Sequence, residues 1–146
     1  MKKGINYFFE DINPFKYGLP PKRWIRSCLA RERRTIGDLN FIFCSDKYLR
    51  KINKKYLNKS YLTDVISFNT EPPKLINLID KSLVFGDIFI SIDRVNENKQ
   101  LYKTIFAKEL KRVMAHGALH LIGFNDKTKK ERGLMAEKEN TYLELK

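Results

Sequence analysis

The apolar positions of this chain fall into two alternating rhythms. Ile5 to Phe9 is a short apolar and aromatic run, which predicts a strand. Pro14, Gly18, Pro20 and Pro21 then punctuate a turn, and a helix is expected to begin near Pro21. Trp24, Ile25, Cys28 and Leu29 follow at helical spacing, with Lys22, Arg23, Arg26, Arg31, Arg33 and Arg34 on the remaining surface. Leu39, Phe41 and Phe43 alternate with Asn40 and Ile42, the mark of a strand with a buried face. Ser45 and Asp46 are good capping residues for a second helix, whose apolar side is Tyr48, Leu49, Ile52, Tyr56 and Leu57.

The second half repeats the mixture. Val65 to Phe68 reads as a strand ended by Pro72 and Pro73, and Val84 to Ser91 as another, followed by a helical turn from Asp93 through Gln100. Thr104 to Leu121 carries the strongest helical pattern, through Ile105, Leu110, Val113, Met114, Leu119 and Leu121. Gly123 is placed to end it in a left-handed turn, and a last helix runs from Thr128 to about Leu145 with Leu134, Met135, Tyr142 and Leu143 as its apolar side. Strands and helices in this order predict a single α+β domain over residues 1–146, one mixed sheet packed with helices.

Composition narrows the function classes. At 146 residues the chain suits one domain with its own core, and its 42% hydrophobic share is that of a globular protein. The balance of 29 Lys and Arg against 17 Asp and Glu leaves a formal charge of +12, for which a polyanion is the natural partner and a merely solvated lysine-rich surface the bland alternative. Two cysteines, Cys28 and Cys44, fall within separate elements and read as buried thiols in a reducing compartment rather than as a disulfide framework. With no signal-peptide core and no membrane-length apolar stretch, the expected location is the cytoplasm.

The candidate chemistry lies between His116 and Asp126. Both histidines of the chain, His116 and His120, stand four residues apart and so share one helix face, where two imidazoles can bind one transition-metal ion, Zn²⁺ being the first choice for nitrogen donors. Asp126, three residues past Gly123, is the candidate third ligand, and three protein ligands would leave a fourth position for water. Two ordinary polar helix residues are the alternative. The zinc-protease helix carries Glu directly after its first His, but here that position is Gly117, so a protease would lack its base. From the sequence Asp126 can be ligand, base or turn residue.

The run His116-Gly117-Ala118-Leu119-His120-Leu121-Ile122-Gly123-Phe124 resembles the signature of the YbeY family, bacterial endoribonucleases of rRNA maturation. Thr63-Asp64-Val65-Ile66-Ser67-Phe68 and Gly86-Asp87-Ile88-Phe89-Ile90-Ser91 are similar to two further elements of that family in the same order, so the resemblance runs from about Leu39 to the end. It implies a small α+β domain with one zinc ion on the long helix, cutting single-stranded RNA in small-subunit rRNA processing and ribosome quality control. Two departures stand out. The family usually places a third His at position 126, preceded by Asp where this chain has Asn125, and an Arg where this chain has Leu57 after Tyr56. The metal role is carried to Asp126, and the charge of the missing Arg to Lys54, Lys55 or Lys59.

Several roles follow as expectations. The nucleophile is either a metal-activated water or an RNA 2′-hydroxyl. Asp87 could orient a ligand His or simply cap a strand end, and Ser67 and Asp64 could line the groove or serve turn and strand hydrogen bonds. Arg23 and Arg26 on the basic helix, with Lys127, Lys129, Lys130 and Arg132, could guide the phosphate backbone, and Tyr61 or Phe124 could stack a base. The competing readings are a nonenzymatic rRNA-binding assembly factor with a structural metal, and a metal-dependent hydrolase of peptides or small molecules.

Overall fold

A computed structural model describes residues 4–57, 63–72 and 81–146. Along the chain run β1 (Gly4–Glu10), α1 (Lys22–Ala30), β2 (Thr35–Cys44), α2 (Asp46–Leu57), β3 (Val65–Asn69), β4 (Leu83–Ser91), α3 (Ile92–Leu101), α4 (Phe106–Leu121) and α5 (Lys129–Leu143). The strands form a mixed sheet in the order β1-β2-β4-β3, with β1, β2 and β4 parallel and β3 antiparallel at one edge. The expected α+β class and mixed sheet are both present.

Alternation divides the sheet into two unlike faces. Ile5, Leu39, Phe41, Phe43, Val84, Ile88 and Ile90 point to the main core, where Trp24, Ile25 and Leu29 of α1, Leu110 and Met114 of α4, and Met135 and Tyr142 of α5 meet them. The opposite face carries a smaller cluster in which Leu49 of α2 covers Cys44 and Ile66. Beyond α2 a row of side-chain hydrogen bonds crosses the strands, from Asn6 to Asn40 at 3.1 Å and from Asn40 to Asp87 at 3.0 Å. Cys28 and Cys44 are buried, unpaired thiols, and burial pushes each pKa up to about 12.

Local chemistry sets the helix boundaries. Ser45 caps α2 by accepting the Tyr48 N–H at 3.0 Å. Ser91, not Asp93, caps α3, so that helix begins directly at the end of β4. Thr128 and Glu131 form a reciprocal capping box at the start of α5. α4 begins at Phe106 rather than Thr104, and Leu134 of α5 is exposed, leaving Met135 and Tyr142 to anchor that helix. None of the helices among the described residues is long and apolar enough to cross a membrane.

Candidate metal centre

α4 lies across β3 and β4, and Gly117 makes the close approach possible. A Cβ at this position would lie 2.7 Å from Ile88 Cγ2 and 2.9 Å from Val65 Cγ2. The Ser67 hydroxyl donates to the Gly117 carbonyl at 2.8 Å in the same contact. The position that holds the general base in a zinc protease therefore faces the sheet in this chain and has no room for a side chain. His116 and His120, one residue before and three after, project together from one flank of the helix beside that contact.

The end of α4 then reverses the chain. Gly123 takes φ +107°, its N–H bonds to the His120 carbonyl at 3.1 Å, and the Phe124 N–H reaches back to the Leu119 carbonyl at 3.0 Å. This pair of bonds around a left-handed glycine is a Schellman motif. It carries Asp126 back beside the histidines, and the Arg132 guanidinium fastens the same loop to α5 by donating to the Lys127 carbonyl at 2.8 Å.

The three candidate ligands converge. His116 Nε2 and His120 Nε2 are 3.1 Å apart, and Asp126 Oδ2 lies 3.1 Å from His120 Nε2 and 3.4 Å from His116 Nε2. A tetrahedral zinc with bonds of about 2.0–2.1 Å spaces its ligands about 3.3–3.4 Å apart. The triangle of two imidazole nitrogens and one carboxylate oxygen matches that spacing, and with His116 28%, His120 31% and Asp126 40% exposed an ion held there remains open to solvent on one side. Donor set and geometry both fit a single metal ion with a free position.

Behind the triangle lies a residue that the sequence reading did not single out. His116 Nδ1 is 2.8 Å from Glu139 Oε2, a carboxylate on α5 that is only 7% exposed. Arg112 approaches the other Glu139 oxygen at 3.6 Å and Glu109 at 3.5 Å. Burial pulls the His116 pKa down, but the hydrogen bond and charge of Glu139, aided by Asp64 and Asp126, outweigh it and the net direction is up. Glu109 goes up as well, because its burial outweighs the Arg112 charge. No local motif marks Glu139. Its one sequence signal is a carboxylate at helical spacing between the core residues Met135 and Tyr142.

The remaining candidates are placed as follows. Asp87 lies on the sheet face away from α4, where it accepts from Asn40, and the histidine is met by Glu139 instead. Asp64 borders a cavity of about 130 Å³ with Glu109, Arg112, His116 and Glu139, while Ser67 is engaged by α4. Lys127 is exposed next to Asp126. Arg23 and Arg26 are on the solvent side of α1, and Lys54 and Lys55 on the last turn of α2, in the layer opposite α4; no hydrogen bond or ion pair among the described residues ties these four to the triangle. Phe124 packs on the core with Lys138 Nζ over its ring at 5.0 Å, an arrangement that uses the ring internally. Lys59 and Tyr61 lie outside the described residues.

Comparison with known proteins identifies the family. The family model described as Endoribonuclease YbeY matches residues 17–145. Endoribonuclease YbeY of Karelsulcia muelleri is 46% identical over 95% of this chain and 93% of its own length. The proteins of the same name from Christiangramia forsetii and Cytophaga hutchinsonii are 43% and 40% identical, over 99% and 100% of this chain and 96% and 99% of theirs. The solution structure of TM1509 from Thermotoga maritima superposes with a TM-score of 0.61 at 28% identity, covering 96% of this chain and 87% of that one. With a family match spanning nearly all of its residues and relatives of this similarity along its whole length, the chain belongs to the YbeY endoribonuclease family.

Proposed function

We propose that this protein is a zinc-dependent endoribonuclease that cuts single-stranded RNA in the maturation of small-subunit rRNA in the cytoplasm. The observation that carries the reading is the donor triangle of His116, His120 and Asp126, open to solvent, in a chain whose relatives are named endoribonucleases. When bound, zinc supplies a Lewis acid that offsets charge on phosphate oxygens and acidifies water. His116 and His120 hold it through Nε2 and Asp126 through Oδ2. The carboxylate at 126 in place of the family's usual imidazole keeps three anionic or neutral donors and leaves the ligand count unchanged.

The rest of the chain's contribution is binding and orientation. Lys127, beside Asp126, is placed to meet a phosphate, and Lys129, Lys130 and Arg132 extend the positive surface along the first turn of α5. Arg23 and Arg26, with Lys54, Lys55 and Lys59, add to the long-range field that draws in a polyanion, a natural task for a protein of formal charge +12. A protease role is disfavoured because Gly117 cannot carry a base.

The test is cleavage of a single-stranded RNA by zinc-loaded protein, with a double-stranded RNA and a peptide as alternative substrates. The expected result is cutting of the single strand, its loss on chelation, and its absence in His120→Ala. If the zinc-loaded wild type binds RNA in a salt-dependent manner yet cuts none of it, the reading fails and a nonenzymatic rRNA-binding role takes its place.

A further inference from the structure

We propose that Glu139 is the positioning residue of the metal centre: it accepts the Nδ1–H of His116 and so presents Nε2, unprotonated, to the ion. The proposal rests on the metal reading above. Its geometry is independent of that reading. The 2.8 Å contact from His116 Nδ1 to Glu139 Oε2 is short for a neutral hydrogen bond and typical of a charge-assisted one. Nε2 of the same ring points to Asp126 and His120, so the two nitrogens of one imidazole are divided between a carboxylate behind and the donor triangle in front. A ligand imidazole commonly gives its second N–H to a carboxylate, which fixes its tautomer and ring orientation.

The surroundings of Glu139 show that it is held for this purpose. On α5 it occupies the inward stripe between Met135 and Tyr142, where an apolar residue would be expected. A carboxylate so buried is strongly disfavoured unless it is partnered. Here its two oxygens are divided: Oε2 faces His116, and Oε1 faces Arg112 at 3.6 Å. Arg112 is itself braced by Glu109 at 3.5 Å and by the Asn140 side chain at 3.5 Å. With Oε2 on His116 and Oε1 toward Arg112, the carboxylate is oriented on the ring from both sides. α5 thereby acts on the triangle without contributing a ligand to it.

The experiment uses the full chain. Because it has only two histidines, ¹⁵N-labelled imidazoles can be assigned with His120→Ala alone. In the metal-free wild type at alkaline pH, His116 is expected as the Nδ1–H tautomer. Zinc affinity is then measured by chelator competition for the wild type, Glu139→Gln, Glu139→Leu and the exposed control Glu137→Gln. Gln can still accept a hydrogen bond, so the expected order is a loss of about 10-fold for Gln and about 100-fold for Leu. Glu137→Gln, with the same charge change, should bind as the wild type does.

An Nε2–H tautomer in the wild type overturns the proposal, and this measurement needs no variant to fold. Wild-type affinity in a folded Glu139→Leu overturns it too, while leaving the metal reading intact. If Glu139→Leu does not fold, wild-type affinity in Glu139→Gln has the same force. A wild type that binds no zinc overturns both readings at once.

Discussion

The Ser67 hydroxyl and the Gly117 carbonyl are 2.8 Å apart, a bond between the edge strand β3 and the helix that carries both histidines. It sets the depth at which α4 sits on the sheet, because the missing side chain at 117 lets Ile88 and Val65 close on the helix backbone. Gly117→Ala must therefore push α4 outward. Overpacking of this kind costs about 1–3 kcal/mol, seen as a lowered midpoint in denaturant. A variant as stable as the wild type would show that the contact is slack.

Gly123 offers the contrasting case. A Cβ there would meet nothing within 4 Å, so only its φ of +107° resists substitution. Gly123→Ala should cost about 1–2 kcal/mol in stability. It should also weaken zinc binding, since the Schellman turn is what returns Asp126 to the histidines. Calorimetry and chelator competition on one sample separate the two effects. Lost stability with unchanged affinity would mean that the loop finds its place without the turn.

Asp126→His puts at position 126 the imidazole that the sequence resemblance leads one to expect there. Imidazole favours zinc more strongly than it favours manganese, whereas carboxylate oxygen is the better partner for Mn²⁺. The ratio of zinc to manganese affinity should rise in Asp126→His and one ion should still bind. An unchanged ratio would mean that Asp126 Oδ2 does not touch the ion.

Away from the site, Glu32 gives the acid limb of stability. It receives Lys138 Nζ at 2.8 and 3.1 Å and the Tyr142 hydroxyl. Burial raises its pKa, but these hydrogen bonds and the Lys138 charge outweigh it and the net direction is down. A carboxylate held below its unfolded value contributes stability above that value, near pH 4.3, and loses it as pH falls through the folded pKa. Glu32→Gln should thus be less stable than the wild type at neutral pH, with the gap closing in acid. Urea unfolding across that range checks it, and a gap independent of pH would exclude a charge effect.

Much of this was legible in the sequence, for identifiable reasons. α4 declares itself because its burial is one-sided, so the apolar period equals the structural period, whereas β2, buried on both faces from Phe41 to Cys44, reads as a near-continuous apolar run. The pair His116 and His120 is local, and Gly123 announces the turn that brings in Asp126. What escaped was long-range. Glu139 is 23 residues from His116, and only the docking of α5 on α4 joins them. Asp87 sits in a strand between the buried residues Gly86 and Ile88, and which sheet face it takes depends on the strand's parity relative to α4, a matter of tertiary packing. α3 starts at Ser91 because the hydroxyl reaches the Arg94 N–H as soon as β4 ends.

The central claim is that His116, His120 and Asp126 together hold one metal ion, and a zinc titration of the metal-free protein tests it most directly. The account predicts one zinc per chain in the wild type and a large loss of affinity in each of His116→Ala, His120→Ala and Asp126→Ala, with the fold retained. A folded wild type that takes up no zinc, or three variants that each bind it as tightly as the wild type, would contradict it.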